Sequence, residues 1–135
     1  MAVPVHTDCP PLPDRITAIA AFIVATALVQ LAPLRVTLAI ARAAKQCTRR
    51  PATAAEAART VAARDWASRF FPGRAACLEM SLTAFLHSVL HGRSLDWCIG
   101  CRFDPCESHA WTEVSAQPIG EPDTPDRPFH VTLRV

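Results

Sequence analysis

The sequence predicts an α+β fold, with helices first and a small antiparallel sheet last. Apolar residues recur at helical spacing as far as Val89. After Gly92 the period changes to two, and the remaining segments alternate like half-buried strands. Runs of helix followed by runs of strand, with no helix between the strands, belong to the α+β class.

The 135 residues suit one domain with a modest core, since half are apolar and 19% are charged. A formal net charge of +2 is too small for electrostatic binding to nucleic acid. Residues 1–14, "MAVPVHTDCPPLPD", form a Pro-rich lead-in expected to be mobile. They lack the short basic region and apolar run of an export signal. The six cysteines are therefore expected to be reduced thiols and the compartment cytoplasmic.

Residues 15–71 form an apolar helical region. Ile16 to Leu34 carries no charge and is long enough to cross a bilayer, but it is rich in alanine and threonine and contains Gln30 and Pro33. Arg15 and Arg35 flank it symmetrically. The favoured reading is a helix buried in the domain or facing a partner, kinked near Pro33 and continuing through "LRVTLAIARAAK"; membrane association through 16–34 is not favoured. Thr53 with Glu56 has capping-box spacing and starts the next helix, which Pro72-Gly73 ends.

Residues 72–135 form the core that carries the chemistry. Leu78, Leu82, Phe85, Leu86 and Val89 share one helix face, and Cys77, Ser81, Ala84 and Ser88 form a small-residue stripe beside it. Such a helix is central, packed on two sides. Gly92 suits its C-terminus. Two strands follow: "DWCIGCRF", then "HAWTEV" with His109, Trp111 and Glu113 on one side. "GEPDTPDRP" is a loop, and "FHVTLRV" closes the chain with Phe129, Val131 and Leu133 expected on one face.

"CIGCRFDPCESH" offers Cys98, Cys101, Cys106 and His109 at a spacing suggestive of zinc. Cys98 and Cys101 are an odd number of residues apart on a strand, so they face opposite ways. Two small packed thiols are favoured over a zinc module, and no metal and no cofactor are expected. Cys77 is different, because it opens a helix whose positive end stabilises a thiolate nucleophile. Such a nucleophile needs a base and an acceptor to orient the base. His109 on a following strand and Glu121 beyond the next short segment supply them, with Asp123 and Asp126 as competitors for the acid. The order cysteine, histidine, carboxylate is that of papain-like and transglutaminase-like thiol enzymes.

The stretch from Pro72 to Pro122 resembles the leader peptidases of bacterial lasso-peptide biosynthesis, a transglutaminase-like, papain-related family. The resemblance rests on Cys77-Leu78, Gly92, Asp96-Trp97-Cys98 with Gly100, His109-Ala110-Trp111 with Glu113, and Gly120-Glu121-Pro122. The chain departs from the pattern with Glu121 in place of the usual aspartate, Cys101 in place of a valine, and a turn "SAQP" without glycine. The resemblance implies a transglutaminase-like core and a peptidase with Cys77 as nucleophile, His109 as base and Glu121 as orienting acid. It also implies a precursor-peptide substrate, a separate leader-binding protein and an ATP-dependent lasso cyclase as partners. The alternative is a non-catalytic scaffold of the same fold that binds a peptide or partner protein.

Overall fold

Ala32 and Pro33 cut the first apolar stretch into two helices, where the sequence suggested one kinked helix. Ala32 is extended (φ −111°, ψ 144°), as a residue before proline prefers, and Pro33 caps the next helix. The computed structural model describes residues 9–70, 76–103, 105–120 and 128–135. Helix α1 spans Leu12–Leu31 and α2 spans Leu34–Gln46. Helix α1 begins three residues inside the stretch read as a mobile lead-in. Pro11 and Pro13 fall at its cap and first turn, where a missing N–H costs nothing. Asp14 in that turn is buried and pairs with Arg59 at 3.0 Å.

Helix α1 is long and apolar enough to cross a membrane by length and composition. In the fold, its Ala18, Ala21, Phe22 and Ala25 stripe is buried against α3 (Ala54–Ser68) and α4 (Cys77–Leu90). Small residues on this face let the helix axes approach closely. The larger Ile16, Ile19, Ile23 and Val24 point outward.

Helix α3 starts with the capping box read from the sequence. Thr53 Oγ1 accepts the Glu56 N–H at 3.2 Å, and the Glu56 carboxylate accepts the Thr53 N–H at 3.1 Å. The same carboxylate takes both Arg50 guanidinium nitrogens, at 2.6 and 2.9 Å, and pairs with Arg93. Arg50 and Arg93 face each other across a short parallel pair that the sequence did not suggest, β1 (Arg50–Pro51) with β2 (Arg93–Ser94). Glu56 thus joins the start of α3 to the segment that follows α4.

Helix α4 is the centre. Every residue from Ser81 to Ser88 is buried, with α1 and α3 on one side and the sheet on the other. Leu82, Phe85 and Leu86 meet Leu95, Trp97 and Val135 in the main core. Burying each such side chain contributes about 1.5–3 kcal/mol. The sheet contains β3 (Asp96–Arg102), β4 (Glu107–Val114), β5 (Gln117–Ile119) and β6 (His130–Arg134), in the order β5-β4-β3-β6 and antiparallel throughout. This is the α+β architecture that the sequence pattern predicts. Ser115 and Ala116 turn β4 into β5 at positive φ, 50° and 62°. A tight two-residue hairpin requires that conformation even where no glycine is present.

Strand β6 corrects one expectation. Ile99 pairs with Leu133 but Gly100 pairs with Val131, so Thr132 is an extra residue. The bulge reverses the facing. Leu133 and Val135 turn toward α4, while Phe129 packs on the opposite side against Trp111 and does not share a face with Leu133.

Hydrogen bonding to Arg50 is the main reason the Glu56 carboxyl titrates at about 2 instead of 4.5. Its folded value is depressed, so its contribution to stability is complete above the ordinary value and is lost as pH falls toward 2. Glu56→Gln is therefore expected to be less stable than wild type near neutrality, with the gap closing under acid. Denaturant titrations across pH check this, and a gap independent of pH refutes it.

Candidate active site

Cys77 is the first residue of α4 and is exposed. The helical ladder begins with the Met80 N–H donating to the Ala76 carbonyl at 3.0 Å. The amides of Cys77, Leu78 and Glu79 thus have no acceptor within the helix and form its positive end. Glu79 folds back so that its carboxylate accepts the Ala76 N–H at 2.7 Å. Ala76 has no side-chain oxygen to complete a reciprocal cap, so the three first-turn amides are not taken up that way. The preceding Pro72 and Gly73 lie outside the described residues.

The connection from α4 to β3 is short, so the strand runs back along the helix. Ser88 Oγ donates to the Arg93 carbonyl at 2.9 Å, and Trp97 Nε1 donates to Ser81 Oγ at 2.9 Å. One further helical turn from Ser81, about 6 Å, reaches Cys77. Two further strand residues, about 7 Å, reach Ile99. Ile99 pairs with Ala110, and Gly100 pairs with His109. Cys77 and the His109 main chain therefore lie at the same level of the helix–sheet layer.

The pleat separates the two faces of β4. Ala110 and Thr112 are buried on the side shared with Ile99 and Trp97, facing α4. A small residue at 110 is what this side admits. His109, Trp111 and Glu113 lie on the other side. The His109 ring stacks with Trp111 (centroids 6.0 Å, 16°) and packs against Phe129 at 5.1 Å. Trp111 Nε1 donates to Glu113 Oε1 at 2.9 Å, and Arg134 donates to Glu113 Oε2 at 2.6 Å. The histidine, tryptophan and glutamate of the HAW-x-E sequence are thus one connected row. Glu113 fixes the indole, and the indole flanks the imidazole. Phe129 and Arg134 complete this row without any local motif to announce them.

This is a transglutaminase-like arrangement, a central helix opened by a cysteine and followed by a strand with the histidine. The sequence model of the Transglutaminase-like superfamily matches residues 21–134. The chain belongs to this superfamily. It includes thiol peptidases and transglutaminases, so the cysteine-first helix sits in a family known for thiol chemistry. No curated protein and no solved structure matches the chain.

The third residue of the expected triad, Glu121, lies outside the described residues, as do Asp123 and Asp126. Strand β5 runs antiparallel to β4, from Gln117 opposite Val114 to Ile119 opposite Thr112, and so heads toward the His109 end. Gly120 follows it at φ 66°. A Cβ there would come within 2.9 Å of Arg64 and 3.0 Å of Val61 on α3.

The cysteine-rich segment does not assemble as its spacing suggested. Cys98 is fully buried on the Glu113 face of β3, Cys101 is half-buried on the α4 face, and Cys106 is exposed in the loop. All six cysteines are free thiols. Burial, then the nearby Glu113 charge, pushes the Cys98 thiol up to about 11. It is expected to resist alkylation in the native protein at pH 8 and to react only on unfolding. The exposed Cys9, Cys47, Cys77 and Cys106 are expected to be labelled first. Mass mapping after brief alkylation checks the order, and early labelling of Cys98 refutes the burial argument.

Gly100 keeps the row together. A Cβ there would lie 2.3 Å from the His130 carbonyl oxygen and 2.7 Å from the Trp111 ring. Gly100→Ala must push apart β6 and the indole beside His109. A loss of about 1–3 kcal/mol is expected from such overpacking, read by denaturant unfolding. Wild-type stability in that variant would show that the approach is not needed.

Proposed function

We propose that the protein is a thiol peptidase that removes the leader from a ribosomally made lasso-peptide precursor before macrolactam closure. The observation that carries this reading is the exposed Cys77 at the open N-terminus of the central helix, level with the HAW strand, in a transglutaminase-like chain. The resemblance of Cys77-Leu78, Asp96-Trp97-Cys98, His109-Ala110-Trp111 and Gly120-Glu121-Pro122 to the leader peptidases narrows the substrate class.

In this reading the Cys77 thiolate attacks the carbonyl carbon at the junction of leader and core, and the oxyanion is held in part by the Cys77 N–H. His109 takes the thiol proton and delivers a proton to the leaving amine. The C–N bond breaks and a thioester remains. Water, deprotonated by the same imidazole, hydrolyses the thioester and frees the thiol. Glu121 orients the imidazole. The pleat turns the His109 ring away from the α4 core, so this reading requires the ring and the Cys77 thiol to come within hydrogen-bond reach at the starting end of β4. A separate leader-binding protein presents the precursor in the cytoplasm, and an ATP-dependent cyclase consumes the product. The outward isoleucines of α1 are candidates for contact with these partners.

Cys77→Ala and His109→Ala are each expected to lower precursor cleavage in the reconstituted system at least about a thousandfold, with folding intact by circular dichroism. Cleavage that persists in Cys77→Ala would support the scaffold reading in which the fold binds a peptide without cutting it.

A further inference from the structure

At the other end of α4, three helices meet at a polar cluster that the proposed chemistry does not use. Asp14 comes from the first turn of α1, Thr60 and Arg59 from α3, His87 from the last turn of α4 and His91 from the residue that caps it. Asp14 is 5% exposed and His87 is 2% exposed. The three donor atoms of Asp14, His87 and His91 lie within 4.8 Å of one another.

The hydrogen bonds divide these groups into inner and outer partners. His87 Nδ1 lies 3.3 Å from Thr60 Oγ1, while its Nε2 is buried with no hydrogen-bond partner among the described residues. An unpaired ring nitrogen in the interior leaves its desolvation uncompensated. Arg59 holds Asp14 Oδ2 at 3.0 Å, leaving Oδ1 directed at His91 Nε2, 3.5 Å away. Thr17 Oγ1 is 3.0 Å from His91 Nε2, but its hydroxyl also donates to the Pro13 carbonyl at 2.9 Å. The threonine is therefore satisfied without the imidazole.

We propose that Asp14, His87 and His91 form a binding site for a divalent transition-metal ion, zinc first, that clamps α1 to α4. Two imidazoles four residues apart on a helix, with one carboxylate, match zinc better than calcium or magnesium, which take oxygen ligands. Zinc–nitrogen bonds of about 2.0–2.1 Å set tetrahedral donors about 3.3 Å apart. The Asp14–His91 pair, at 3.5 Å, is close to that spacing, and His87, within 4.8 Å of both, has a gap of at most about 1.5 Å to close. Thr60 holding the second nitrogen of His87, and Arg59 holding the second oxygen of Asp14, are the outer contacts that orient metal ligands. His87 is buried, which favours the neutral ring that a metal ligand must offer. His91, half-exposed, gives the ion a way in.

Three protein ligands leave one position for water. The cluster begins ten residues along α4 from Cys77, about 15 Å, so its role is to join helices and not to supply the nucleophile. The sequence pattern suggests a metal only at the cysteine segment and favours none there. His87 and His91 show helical spacing, but the ligand that completes the set stands 73 positions upstream of His87.

The full chain, reduced and treated with chelator, is titrated with zinc and with cobalt. One bound equivalent is expected, with a rise in melting temperature and a cobalt spectrum free of thiolate charge transfer. His91→Ala is expected to fold and to lose both the equivalent and the metal-dependent shift. Thr60→Val should weaken binding about tenfold, and Cys77→Ser should leave it unchanged. The cobalt spectrum is read on the wild-type protein, so the test stands even if a variant fails to fold. No bound equivalent, a thiolate spectrum, or binding retained in His91→Ala would each overturn the site and leave a metal-free hydrogen-bonded cluster.

Discussion

The burial of α4 on both sides is the constraint on which the rest of the structure depends. A helix between two layers has no solvent face on which to place its polar groups, so each needs a partner inside the protein. Ser81 accepts from the Trp97 indole, Ser88 donates to the Arg93 carbonyl, and Thr83 donates back to Glu79 within the helix. The first two bonds are worth about 1 kcal/mol each. They also act as gauges, because they set the level at which β3 runs against the helix and hence where β4 lies. The same small residues that admit this polarity allow close packing. Ala84 on α4 and the alanine stripe of α1 are nearly inaccessible to solvent. Bulk is displaced outward, which is why α1 carries its isoleucines on the exposed side.

The sheet follows from that placement. With α4 on one face, the alternation along β3 and β4 sorts residues into two environments. Trp97, Ile99, Ala110 and Thr112 are matched to the helix, and Cys98, Trp111 and Glu113 form a second buried layer. Ion pairs also link this outer layer. Arg134 bridges Glu113 and Asp96, and Asp96 is also held by Lys45 of α2 at 2.5 Å. Lys45 further donates to the Val135 carbonyl at 2.9 Å, so the C-terminal strand is tied to the helical half. These pairs are partly exposed and individually contribute little. Their value here is in register, since they connect three strands and a helix.

What the sequence revealed was local periodicity and local chemistry. The Thr53–Glu56 box, the stripes of α4, the opposite facing of Cys98 and Cys101, and the change of period after Gly92 depend on residues a few positions apart. They needed no tertiary information. The failures have a common cause. The apolar run continues past Pro33 and so suggests a kink, yet the extended conformation at Ala32 ends the helix. The facing of Phe129, Val131 and Leu133 was read from strict alternation, and one bulge at Thr132 reverses it. The Glu113–Arg134 bridge and the Asp14–His87–His91 cluster join residues 21 or more positions apart, for which a single sequence carries no signal. Cys77 and His109 were legible as residue types in order. That they share a level depends on the two bonds from Ser81 and Ser88, which only the fold displays.

The two ends of α4 face opposite demands. At its start the helix leaves first-turn amides uncapped and a thiol exposed, which forgoes the stabilisation of a side-chain cap, about 1 kcal/mol. That end is held by sheet packing and by Glu79, which satisfies the Ala76 amide without covering Cys77. At its other end the helix is free of that requirement and can be fixed firmly. There Asp14, Arg59, Thr60 and Thr17 converge on its two histidines from α1 and α3. Rigidity introduced at the far end reaches the near end through a single unbroken helix, since Ser81 to Ser88 is packed throughout and contains neither proline nor glycine. An open, cysteine-bearing end is therefore tolerable because the same helix is anchored about 15 Å away. The polar groups buried there are the means of anchoring it without lengthening the core.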